Sequence, residues 1–185
     1  MTVMRFFTPE LFVELNSDND DVVDQAERKW DVARTRYQKY LTGIEKKLPN
    51  SLLQFCKTMH LHDSRVRYEH NPVWTICHTD NTGQHVRAVL TVTRKAAEFT
   101  LSYLDLVEPT SWHRPVDSPV FHCNHVVWLY DEVSQVKKNV YSHDILFSDG
   151  NVLTVRFKDF MYDEIVSARE TAYEASVEGE RLATG

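Results

Sequence analysis

Glycine is scarce in this chain, with five residues in 185. They are scattered, and a phosphate-cradling loop or a dinucleotide fingerprint needs clustered glycines so that backbone can approach phosphate without a Cβ in the way. Nucleotide binding therefore has no support. Cysteine is equally sparse: Cys56, Cys77 and Cys123 are odd in number and widely spaced. That pattern suits free thiols in a reducing compartment better than a disulfide framework, so a cytoplasmic location is expected. Long apolar runs are missing too. Charges interrupt every one, which leaves no candidate membrane span. The opening Met-Thr-Val-Met-Arg-Phe-Phe lacks the continuous apolar stretch of a signal peptide. Basic charge is in deficit, with 21 Lys and Arg against 27 Asp and Glu and a formal charge of −6. Such a field repels polyanions at long range, which makes nucleic acid a poor partner. The locally basic set Arg34, Arg36, Lys39, Lys46 and Lys47 reads more simply as the solvated face of a helix.

What the chain does have is an ordinary apolar fraction of 42% and enough length to bury a core as a single domain. Thr8-Pro9-Glu10 is a helix start: a capping hydroxyl, a proline tolerated at the first position and an early acid that suits the helix dipole. A short helix to about Leu15 follows. From Asp20, residues Val23, Ala26, Trp30, Ala33, Tyr37, Tyr40 and Ile44 recur at three and four, one apolar seam on a helix. Carried to Leu48 it would run roughly 43 Å, unless Gly43 ends it sooner. Leu52, Leu53, Phe55, Cys56 and Met59 predict a third, shorter helix.

After Ser64 the period changes to two. Ser64–Tyr68, Val73–His78, Val86–Thr93, Phe99–Val107, Val126–Val133, Val140–Phe147 and Val152–Phe157 are rich in β-branched and aromatic residues. Turn signals at 80–83 and 148–151 predict antiparallel hairpins. The proline-bearing stretch 108–119 reads as a crossing loop, and 163–180 as a helix. The expectation is an α+β domain over 1–185. Residues 1–60 would be helical and lie on a mainly antiparallel sheet of about seven strands at 61–160, and 161–185 would form a C-terminal helix or tail.

Candidate chemistry centres on two His-Asp pairs. His60 and His62, two apart, would share a face in extended backbone with Asp63 opposite. Together with His143 or Glu132 they would make a divalent-metal site. His143 and Asp144, neighbours in a strand, point to opposite faces and cannot chelate one ion. The competing reading makes both pairs architecture, with Asp holding a turn and His satisfying a buried carbonyl. His122-Cys123-Asn124-His125 offers donors, but no second half of a zinc module is present. Alternation also puts Trp128, Tyr130 and Glu132 on one face, either as pocket lining or as sheet surface beneath the long helix. A Glu132 buried beside an imidazole would be a candidate general base.

As a set, Met4-Arg5-Phe6-Phe7-Thr8-Pro9-Glu10-Leu11-Phe12, Leu61-His62-Asp63-Ser64, Trp128-Leu129-Tyr130-Asp131-Glu132 and His143-Asp144-Ile145-Leu146-Phe147-Ser148-Asp149-Gly150 resemble a bacterial family of unknown function. The resemblance spans nearly the whole chain, with Met4 matching the family's start. It implies bacterial origin and a single domain, and it brings no activity. Two functions follow from the residues. One is a non-catalytic cytoplasmic module that binds a protein partner. The other is a metal-dependent hydrolase using His60, His62, Asp63, His143 and Glu132.

Overall fold

The computed structural model describes residues 4–66, 78–79, 85–94, 97–121 and 126–166. Three helices come first: α1 Pro9–Leu15, α2 Asp20–Ile44 and α3 Asn50–Thr58. Thr8 caps α1, its Oγ1 accepting the Leu11 N–H at 3.3 Å, and Asn19 Oδ1 accepts the Asp21 N–H at 2.9 Å to open α2. Gly43 does not break α2, which runs one residue beyond it before a single 3-10 turn at 45–47. The anticipated continuous helix to Leu48 is therefore shorter by that turn. No described helix is long and apolar enough to cross a membrane.

Among the described residues nine strands follow, all paired antiparallel. They are β1 Arg65–Val66, β2 His78–Thr79, β3 His85–Arg94, β4 Ala97–Leu104, β5 Ser111–His113, β6 Trp128–Lys137, β7 Val140–Phe147, β8 Val152–Phe157 and β9 Asp159–Val166. They form two sheets where one was expected. The first has the order β1-β3-β4-β9, with β2 also on β3, and the second has the order β5-β8-β7-β6. The chain passes from the second sheet to the first between β8 and β9, with only Lys158 separating Phe157 from Asp159. At another corner the sheets touch through backbone, with Asp63 N–H on the Trp128 carbonyl and Trp128 N–H on the Ser64 carbonyl, each at 2.9 Å.

Two further expectations are corrected. The crossing loop contains β5, which pairs with β8. Residues 163–166, assigned to a C-terminal helix, extend β9 along β4, because Tyr162 and Phe160 alternate with exposed Met161 and Ile165. The remainder of that helix, the turn at 80–83 and the 122–125 donor cluster lie outside the described residues.

The result is three layers. One core fills the space between the sheets around Trp128, Tyr103, Phe147, Phe157 and Phe160, closed at one side by α3. A second core lies between the outer face of the second sheet and α1–α2, with Phe7, Leu11, Ala26, Leu146 and Val152. The strand β7 is therefore covered on both faces, and all eight of its residues are buried. Its Ser142, His143 and Asp144 must find hydrogen-bond partners inside the protein.

Candidate functional site

His143 leaves β7 toward the inter-sheet core and is completely buried. Its Nδ1 stands 2.9 Å from Tyr103 Oη on β4, and its Nε2 stands 3.1 Å from Asp131 Oδ2 on β6. A carboxylate only accepts hydrogen bonds, so Nε2 carries a proton toward Asp131, and the phenol closes the other side of the ring at Nδ1. Asp131 Oδ1 accepts from Trp128 Nε1 at 3.0 Å. The result is a four-residue chain, Tyr103–His143–Asp131–Trp128, that ties the two sheets together through their core. Phe55 of α3 packs edge-on against the imidazole at 5.6 Å. Burial, followed by the Asp131 charge, pushes the Tyr103 phenol well above its usual range. The same two causes push the Cys56 thiol up to about 12. Neither group is a nucleophile at neutral pH.

The second buried centre lies on the opposite face of the same sheet. Glu132 and Asp144 are cross-strand partners, both only 3% exposed. The Glu132 carboxylate receives three backbone N–H groups from the N-terminal segment: Phe6 at 2.5 Å and Phe7 at 2.6 Å on Oε1, and Arg5 at 2.8 Å on Oε2. Asp144 accepts the hydroxyls of Thr154 at 2.5 Å and Ser142 at 3.2 Å. Burial raises the Glu132 carboxyl; the three N–H groups pull it back and the Asp144 charge pushes it further up. Burial raises Asp144 too, opposed by Thr154 and Ser142 and then by the His143 and Arg156 charges. Among the described residues, no imidazole is a hydrogen-bond partner of Glu132. Its neighbours are backbone amides and a second carboxylate, so its role is to hold the segment Arg5–Phe7 in place.

The remaining candidates lie at the surface. Residues 61–64 form a turn, closed by the Ser64 N–H on the Leu61 carbonyl at 2.9 Å, with Asp63 in the left-handed region at φ 63°. The extended backbone that would have aligned His60 with His62 is therefore absent. His62 Nδ1 and Asp63 Oδ2 pair at 2.9 Å in the open, and the His62 ring lies 5.4 Å from Tyr130. His60 is exposed, and its carbonyl accepts the Arg94 guanidinium. Trp128 does not share the face of Tyr130 and Glu132. The β6 register shifts between Trp128 and Tyr130, a bulge at Leu129, and this turns the indole into the inter-sheet core while Tyr130 stays with Trp30 and Phe7. The supposed metal ligands thus go to three places: His143 between the sheets, Glu132 beneath the N-terminal segment, and His60, His62 and Asp63 at the surface. Among the described residues, no three His, Cys, Asp or Glu side chains gather around one point.

Sequence reasoning passed over Asp131, Tyr103 and a groove. The hairpin register that brings Asp131 to His143 follows from the tight turn after Lys137, where Asn139 takes φ 57°; counting back from it was the available signal. Tyr103 joins from a different sheet and left no local trace. The groove, about 840 Å³, opens between the N-terminal segment, α1 and α2. Its floor is apolar: Phe6, Leu11, Val32, Ala33 and Tyr40. Arg28, Arg36 and Lys39 stand on the α2 wall, and Arg5 lies over the rings of Phe6 and Tyr40 at 5.1 and 5.7 Å. Among the described residues these four cations have no carboxylate partner, whereas Lys29 is bridged to Glu14 at 2.6 Å. Comparison with known proteins finds no match, whether to family models, curated proteins or solved structures.

Proposed function

We propose that this chain is a non-catalytic binding module of the bacterial cytoplasm, which recognises another protein through the groove between α1 and α2. One observation carries the reading. The buried histidine and carboxylates are satisfied by bonds within the fold, while Arg5, Arg28, Arg36 and Lys39 line an open, apolar-floored groove and, among the described residues, none of the four is paired with a carboxylate. Desolvated polar groups that find partners stabilise architecture, and unanswered charge beside exposed apolar surface is what a partner can use. Val32, 48% exposed, is the apolar residue a partner would cover.

Membership of the bacterial family that the chain resembles belongs to the same proposal, and the odd, dispersed cysteines support a reducing compartment. The hydrolase alternative needs an ion or a water within reach of several donors at once. The dispersal of His60, His62, Asp63, Glu132 and His143 over three sites, with no such cluster among the described residues, favours the binding reading over it.

The test is site-specific photo-crosslinking in growing bacteria, with the reactive residue at position 32 and, as control, at exposed Met161 on β9. The expected result is a protein adduct of defined mass at position 32 that disappears when Arg36→Glu is added. Uncrosslinked chain only, or equal adducts at 32 and 161, would remove the reading.

A further inference from the structure

We infer that the occupant of this groove is an amphipathic helix with an acidic edge, its carboxylates spaced to meet Arg28, Arg36 and Lys39. The inference rests on the binding-module reading and adds the chemistry of the partner. Arg28, Val32, Arg36 and Lys39 succeed one another at four, four and three residues, so they form one stripe along α2. At 1.5 Å per residue Arg36 lies about 12 Å from Arg28, and Lys39 about 16 Å. A helix laid alongside meets those cations with acids at i, i+8 and i+11, which also fall on a single face. Its apolar edge then covers Val32 and the floor formed by Leu11 and Ala33.

The opposite wall decides between kinds of anion. Glu10 and Glu14 line the groove from α1, so cations stand on one side and carboxylates on the other. A uniform polyanion such as nucleic acid would bring phosphates against Glu10. A peptide helix can carry acids on one edge and neutral or basic residues on the other. Arg5 at the Tyr40 end adds a fourth cation, and its position is set from below: the Arg5 N–H is one of the three held by buried Glu132. The groove wall is thus anchored to the sheet before any partner arrives, which lowers the ordering cost of binding.

The probe is a synthetic helical peptide carrying Glu at i, i+8 and i+11 and leucines along the adjoining edge, titrated calorimetrically into the full chain. Three comparison ligands are used: a scramble of the same composition, the peptide with Lys for Glu, and a single-stranded oligonucleotide. Arg36, Lys39 and the control Arg34 are all exposed, so charge reversal leaves the fold intact, as circular dichroism would verify. The expected result is binding of the acidic peptide alone. Combining Arg36→Glu with Lys39→Glu should weaken it by at least about tenfold, while Arg34→Glu changes it little. Affinity should also fall as salt rises from about 0.1 M to about 1 M, where the Debye length shrinks from about 10 to about 3 Å. Equal binding of the scramble, tighter binding of the oligonucleotide, or indifference to the double reversal would overturn the inference. So would self-association through Val32, seen by sedimentation, which would make the occupant a second copy. If the acidic peptide fails while the position-32 adduct persists in cells, the partner chemistry is wrong and the binding reading stands. If the adduct is absent as well, both fall.

Discussion

Replacing His143 removes a side chain bonded at both ring nitrogens. In His143→Phe the ring volume is kept, but the Tyr103 hydroxyl is left in the core and Asp131 loses a donor. The expected loss is about 2–4 kcal/mol in urea unfolding. Tyr103→Phe removes the stranded hydroxyl, so the double variant should lose less than the sum of the singles, with a coupling of about 1 kcal/mol or more; strict additivity would mean that the imidazole and the phenol do not act together. On the other face of β7 the relevant quantity is the proton. Asp144 and Glu132 both titrate above the ordinary carboxylate range in the fold, chiefly through burial. The folded state therefore holds their protons to higher pH than the unfolded chain does. Their contribution is complete below the ordinary range and is lost as pH rises through the raised values. Asn at position 144 cannot titrate, so Asp144→Asn should gain on the wild type in unfolding free energy as pH rises above about 4, the ordinary carboxylate value. A difference that stays flat or falls with pH would contradict the assignment.

At the scale of elements, β6 is the outer strand of its sheet, and its outward N–H groups need partners. The helix α2 supplies them: Tyr37 Oη accepts the Val133 N–H at 2.6 Å and Tyr40 Oη accepts that of Gln135 at 2.9 Å. This covers an edge that would otherwise invite another strand. Tyr37→Phe should cost about 1–2 kcal/mol and speed hydrogen exchange at the Val133 amide, with Ile145 in the protected neighbour β7 unaffected; unchanged exchange at Val133 would show that the hydroxyl is dispensable. Reading the sequence located this helix, because Trp30, Ala33, Tyr37 and Tyr40 recur at helical spacing, and it located β7 and β8 from their β-branched alternation. The reading assigned the α2 rings to core packing and missed that two of them also carry the hydroxyls that cap a strand. It also placed Trp128 on the wrong face, because one bulged residue at Leu129 reverses the alternation on which such an assignment rests. The division into two sheets was hidden for a related reason. Only Lys158 separates β8 from β9, and a strand that bends between sheets has no turn residue to announce it.

For the whole molecule, the layering predicts where the structure opens first. The inter-sheet core is large, aromatic and closed by the His143 chain, while α1 and the segment 4–7 are attached to the second sheet through the smaller core and the Glu132 carboxylate. Three N–H groups converging on one buried acid from residues 125 to 127 positions away make a long-range anchor that no local pattern in the sequence reveals. Glu132→Ala deletes it and leaves those amides without acceptors, at a cost of about 1–3 kcal/mol for each one that stays buried. The segment can reduce that cost by detaching, and it would then carry Met4 and Phe7 off the sheet. The opening should therefore be local. Hydrogen exchange in Glu132→Ala should accelerate through residues 4–15 and reach the first turns of α2, while β7 and β8 keep the protection of the wild type. Because Arg5 and Phe6 form one end of the groove, the same variant should also weaken the acidic helical peptide although no groove cation has been replaced. Uniform acceleration across β7 as well would mean that the three layers unfold as one unit and that the Glu132 anchor belongs to the global fold.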